Sequence, residues 1–201
     1  MNVLIYDLEI LRAIPDKSGK RAEGIEYCAG WHDHANMGIT VLGVYDYIDE
    51  RYHVFCGDNK EEFAQRLKGN PLCVGFNSIP FDNAVLSATA GWDAPKEERC
   101  YDLLRETWAA SGLGPKFVYP THMGYSLDAM CELNFALKKS GNGALAPVDW
   151  QLGNFGKVID YCLNDVMLTK RLFDAVTRGD YIKNPKGGSD LTLRIPTMEA
   201  A

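Results

Sequence analysis

An apolar, strand-forming run that carries two carboxylates sets the tightest limit on what this chain can fold into. In "VLIYDLEI", residues 3 to 10, the apolar and aromatic side chains describe a buried β-strand, an expensive place for Asp7 and Glu9. Side chains alternate between the two faces of a strand, so these two acids share a face with their backbones about 7 Å apart. Two negative charges held together need a cation, a proton or an outlet to water.

Composition leaves room for such a site. The 201 residues are 46% hydrophobic and 24% charged, enough for a full core, and the simplest expectation is one domain over 1–179 followed by a tail or edge strand over 180–201. A formal net charge of -6 argues against a generic basic coat for nucleic acid, yet it is compatible with a local groove or a metal bridge to phosphate. Cys28, Cys56, Cys73, Cys100, Cys131 and Cys162 form no CxxC pair and sit mostly in apolar runs, the usage of buried thiols in a reducing compartment. No leader pattern opens the sequence and no apolar run approaches the roughly eighteen residues of a membrane span, so a soluble, cytoplasmic protein without a membrane partner is expected.

Strand signals come first and helical spacing later. The polar segment 13–24 reads as a flap or long hairpin connection, and 39–48 with 51–56 as two strands joined by a short turn. Residues 60–69 read as a short helix closed by Gly69, 71–77 as a buried strand, and 79–91 as a helix with Pro80 in its first turn. Two more helices are expected over 98–112 and 126–137, the second capped by Ser126, then a glycine-rich turn over 138–147. The longest periodic segment, 154–179, has apolar residues at Val158, Cys162, Val166, Leu168, Leu172 and Val176 and ends at Gly179, the pattern of a long helix. This order describes an α/β fold.

Two further acids join the opening pair. Asp82 falls at the start of a helix after a buried strand, where open α/β sheets place ligands. Asp165 lies on the long helix with Tyr161 one turn before it on the same face. Four carboxylates from these elements can converge on two divalent ions, Mg²⁺ or Mn²⁺, which stabilise the attacking and leaving oxygens of a phosphoryl displacement.

"YDLE", "GFNSIPFDNAVL" and "YCLNDV", taken in order, resemble the three motifs of the DEDD superfamily of 3′–5′ exonucleases, in the subgroup with tyrosine in its third motif. The resemblance reaches from Asp7 to Asp165 and implies a ribonuclease H-like fold, a mixed β-sheet flanked by α-helices. It implies that Asp7 bridges both metals, that Glu9 and Asp165 hold the ion carrying the attacking water, and that Asp82 acts through the water-mediated shell. Tyr161 would orient the nucleophile, because a phenol with a pKa near about 10 is a poor base at neutral pH. The implied partners are single-stranded DNA or RNA 3′ ends, DNA slightly favoured, with recruitment to a replication or repair complex. The rival readings are an end-binding or regulatory module of the same fold without catalysis, and an endonuclease with the same metal chemistry.

Substrate contacts are expected from Asn77, from Phe81 and Leu8 as walls for a terminal base, from His122 on a loop, and from Lys138 and Lys139 on phosphate. The Lys138 and Lys139 pair reads equally well as a solvated helix end, and Asp102 reads better as a helix-start acid than as a substrate contact. His32 and His34 lack partners at metal-ligand spacing and read as a surface turn.

Overall fold

The computed structural model describes residues 1–16 and 18–197. Its strands are β1 (Val3–Ile10), β2 (Ile39–Asp46), β3 (Arg51–Phe55), β4 (Leu72–Gly75) and β5 (Cys100–Asp102), in the sheet order β3-β2-β1-β4-β5. The β1, β2 and β3 ladders are antiparallel, whereas β1, β4 and β5 run parallel, so the sheet is mixed as expected of a ribonuclease H-like α/β fold. The helices are α1 (His34–Met37), α2 (Glu61–Leu67), α3 (Asp82–Thr89), α4 (Leu103–Ala110), α5 (Leu127–Phe135), α6 (Ala146–Gln151) and α7 (Phe155–Thr177).

Strand alternation sorts β1 into two faces. Leu4, Tyr6, Leu8 and Ile10 pack with Met37 of α1, Phe63 of α2 and Val85 and Leu86 of α3. Val3 and Ile5 point the other way, into a core with Leu103 of α4, Met130 of α5 and Leu172 and Phe173 of α7. Asp7 and Glu9 continue that second face, so the acids emerge on the side covered by α7.

Gly43 sets how close α7 comes. It pairs with Asp7 across the β1–β2 ladder. A Cβ at this position would lie 2.9 Å from Cys162 Sγ and 3.1 Å from Val166 Cγ2. The missing side chain lets α7 settle until Cys162 Sγ is 3.5 Å from the Asp7 carbonyl oxygen. Gly43→Val should therefore cost about 1–3 kcal/mol by overpacking and lift Tyr161 and Asp165 off the acids. Urea denaturation measures the first effect, and wild-type stability in the variant would refute it.

Several local expectations are corrected. The expected helix 98–112 is broken by β5, because Cys100 and Tyr101 are drawn into register beside Cys73 and Val74 of β4, and the helix starts only at Leu103. The helix read over 79–91 starts at Asp82, leaving Pro80 in the preceding turn. Lys68, not Gly69, caps α2, and Asn70 takes the left-handed backbone with φ 49°. Within 138–147 the turn already gives way to α6, whose first turn takes Pro147. His34 opens a one-turn helix instead of lying in a surface turn. In the tail, Ile182 bridges Leu191, and both are buried with Leu193 against the β1 and α7 core. Lys17 and residues 198–201, parts of the expected flap and tail, lie outside the described residues. All six cysteines are free thiols.

Candidate active site

Strand lengths place the third acid. β4 pairs with β1 only from Val3 to Ile5, which leaves the Leu8 N–H beyond the reach of that ladder. Asp82, at the start of α3, fills the gap: its Oδ1 accepts from Leu8 N at 3.1 Å. The turn that delivers Asp82 hangs on Asp102, whose Oδ1 accepts from Asn77 N at 2.9 Å and whose Oδ2 accepts from Ile79 N at 3.1 Å. Asp102 also caps α4 through Leu104 N, so one buried carboxylate joins β5, α4 and the site turn. It serves as both the expected helix-start acid and the anchor of Asn77, which has a left-handed φ of 64°.

From α7, Tyr161 and Asp165 face the same space. Asp7, Leu8, Glu9, Asn77, Phe81, Asp82, Lys139, Tyr161 and Asp165 all line one cavity of about 570 Å³. Lys139 comes from the loop after α5 and bonds the Asp165 carboxylate, with its Nζ 3.2 Å from the Tyr161 hydroxyl. Its backbone N–H is held by Asp128 Oδ1 at 2.8 Å. Gly141 and Gly143 let the following loop lie against Tyr161, where Cβ atoms would sit 3.0 Å from the ring Cδ2 and 3.1 Å from the hydroxyl oxygen.

The other predicted contacts lie elsewhere. Lys138 pairs with exposed Glu132 at 2.7 Å and does not line the cavity. His122 is buried against Trp108, with ring centroids 4.7 Å apart, inside a separate loop. Trp31, which sequence reading passed over, does line the cavity, 6.0 Å from the Phe81 ring. The loop carrying it is tied to α6 by Gln151, which accepts from Glu26 N at 2.7 Å and donates to Leu11 O at 2.8 Å.

Crowding this many acids has an electrostatic cost. Burial first, and then the Asp165 charge, push the Asp7 carboxyl from 3.8 up to about 7. Burial and the Asp7 charge raise Glu9 and Asp82 well above the ordinary carboxylate range. Burial also raises Asp165, although Lys139 pulls it back. Burial keeps the Tyr161 phenol and the Cys162 thiol protonated.

RNase D of Trypanosoma brucei shares the fold. It aligns over 86% of this chain with a TM-score of 0.52 and 12% identity, and the chain spans 56% of that protein's length. No protein-family model matches the chain, and no curated protein does. Among the described residues no helix is long and apolar enough to cross a membrane.

The donor set fits divalent metal. Ligand atoms of Asp7, Glu9 and Cys162 lie within 4.8 Å of one another. Cys162 is a neutral thiol that donates weakly to Asp7, so the usable donors are carboxylate oxygens, the set preferred by hard divalent ions. Asp165 Oδ1 is buried without a hydrogen-bond partner. A cation would satisfy that oxygen and offset the burial and mutual repulsion that raise the neighbouring carboxyls.

Proposed function

We propose that this chain is a metal-dependent 3′–5′ exonuclease that releases mononucleotides from single-stranded nucleic-acid ends. The supporting observation is the meeting of Asp7, Glu9, Asp82, Asp165 and Tyr161, from three separate elements, at one cavity. An RNase D neighbour in fold and the order of the three motifs agree with this reading.

Asp7, Glu9 and Asp165 would hold two Mg²⁺ or Mn²⁺ ions, with Asp82 supporting them while gripping Leu8 N. When bound, those ions supply Lewis acidity toward the phosphoryl oxygens and lower the pKa of water. Tyr161 keeps its proton, so its hydroxyl orients the nucleophile as a hydrogen-bonding group and takes no proton from it. Lys139, paired with Asp165 at the cavity wall, would offer a positive charge to a substrate phosphate if Asp165 held metal. Phe81 and Trp31 give the terminal base two aromatic faces, and Asn77 lies beside them.

The test is a time course on 5′-labelled DNA and RNA strands of one sequence with Mg²⁺, Mn²⁺ or EDTA. A metal-dependent ladder shortening from the 3′ end supports the proposal and ranks the two sugars. Internal cuts would make the enzyme an endonuclease, and intact strands throughout would favour an end-binding module. Tyr161→Phe should slow single-turnover hydrolysis about 10²-fold while strand binding stays within about twofold. An unchanged single-turnover rate would remove the tyrosine from the chemistry.

A further inference from the structure

The residues between Trp108 and Ser126 build a surface that the acidic cavity does not use. His122 is its hub. The ring Nε2 lies 3.0 Å from the Gly114 carbonyl oxygen, and Nδ1 lies 3.2 Å from both the N and the carbonyl oxygen of Val118. Lys186 ties the loop from outside: its Nζ donates to the Thr121 carbonyl at 2.9 Å, and its stem passes over Gly124. This anchored loop nevertheless turns Phe117, Val118 and Tyr119 outward at 59%, 55% and 74% exposure. Adjacent apolar side chains held in water by a preorganised loop mark a binding surface.

The charge around it selects the occupant. The chain has 27 acidic and 21 basic residues, yet no acid lies between Glu106 and Asp128 or between Asp180 and Asp190. Those two segments carry Lys116, Lys183 and Lys186; the Lys186 tie joins them, and Lys183 N is held by Asn134 Oδ1 of the neighbouring α5 at 2.8 Å. The loop is also continuous with the catalytic side. Trp108 and Tyr125 pack against Phe76, which lines the acidic cavity. Aromatic faces beside lysines, in an otherwise acidic protein, match the bases and phosphates of a single strand.

We propose that this loop is a stacking platform for the strand upstream of the cleaved end, with bases on Phe117 and Tyr119 and phosphates drawn by Lys116 and Lys183. The identity of the strand rests on the nuclease reading. The test therefore reads binding and cleavage separately. Anisotropy of a fluorescent strand of about 16 nucleotides, in EDTA, follows binding without turnover. Hydrolysis of the p-nitrophenyl ester of thymidine 5′-monophosphate follows chemistry on a single nucleotide that has no upstream strand.

Phe117→Ala with Tyr119→Ala should weaken strand binding about tenfold or more and leave the small ester's turnover unchanged. Lys116→Gln with Lys183→Gln should lower the slope of log affinity against log salt by about 0.7 per lysine. Wild-type affinity and salt slope in both variants would overturn the platform, whatever the enzyme cleaves. Patch-dependent binding by a chain that hydrolyses neither substrate would keep the platform and sink the nuclease reading. A wild-type dimer by sedimentation that Tyr119→Ala dissociates, with strand binding unaltered, would assign the surface to a second copy and overturn the proposal.

Discussion

Replacing Asp7 by alanine should lower hydrolysis about 10³-fold and, in the absence of divalent metal, should make the protein harder to unfold. The two effects have one cause. Asp7 sits beside Glu9 and close enough to Asp165 for their charges to repel, and burial and that repulsion lift its carboxyl from 3.8 to about 7. The folded state therefore binds this proton more tightly than the unfolded state does. The associated stability is complete below about pH 4 and is lost as the pH rises through about 7. In EDTA the wild-type midpoint should fall across that window, and Asp7→Ala or the closer isostere Asp7→Asn should flatten the curve. Saturating Mg²⁺ should stabilise the wild type most at the alkaline end, where the carboxylates are free to bind it. Circular dichroism melts across the window test the sign. An Asp7→Asn protein less stable than wild type at about pH 8 in EDTA would contradict the electrostatic account.

Asp102→Ala should remove about 3 kcal/mol of stability and should disable the proposed site without touching it. The carboxylate accepts from the backbone of Asn77, Ile79, Leu104 and Arg105, and it is 2% exposed. Truncation leaves those donors unpaired in the interior and releases the turn that aims Asn77, Phe81 and Asp82. Displacement of the turn by about 1 Å is enough to cost about 10² in turnover. Asp102→Asn keeps one acceptor oxygen and should lose roughly half as much stability. Urea unfolding and steady-state kinetics on the same preparations check both parts. A stable Asp102→Ala protein with normal turnover would show that other contacts hold the turn.

The parts of the fold legible in the sequence are those with strong local periodicity. Alternation along β1 assigned Asp7 and Glu9 to one face, and the apolar stripe from Val158 to Val176 marked α7 within a residue or two at each end. β5 was hidden because it has only three residues, and only its parallel pairing with β4 separates Cys100 to Asp102 from the helix that follows. The role of Trp31 was also invisible. It depends on Gln151, far along the chain, holding the loop at Leu11 and Glu26. Lys138 and Lys139 looked equivalent as neighbours, yet the Asp128 bond to Lys139 N turns one lysine into the cavity and leaves the other on Glu132. Local pattern specified the acids, whereas long-range hydrogen bonds specified the walls around them.

Direct ion binding is the plainest test of whether these carboxylates form a divalent-metal centre. Titration of the protein with Mn²⁺, following the electron paramagnetic resonance of the free ion, should reveal bound metal in the wild type and its loss in Asp7→Asn. A free-ion signal unaffected by wild-type protein would mean that the acids share protons and Lys139 alone, and the hydrolytic reading would fall.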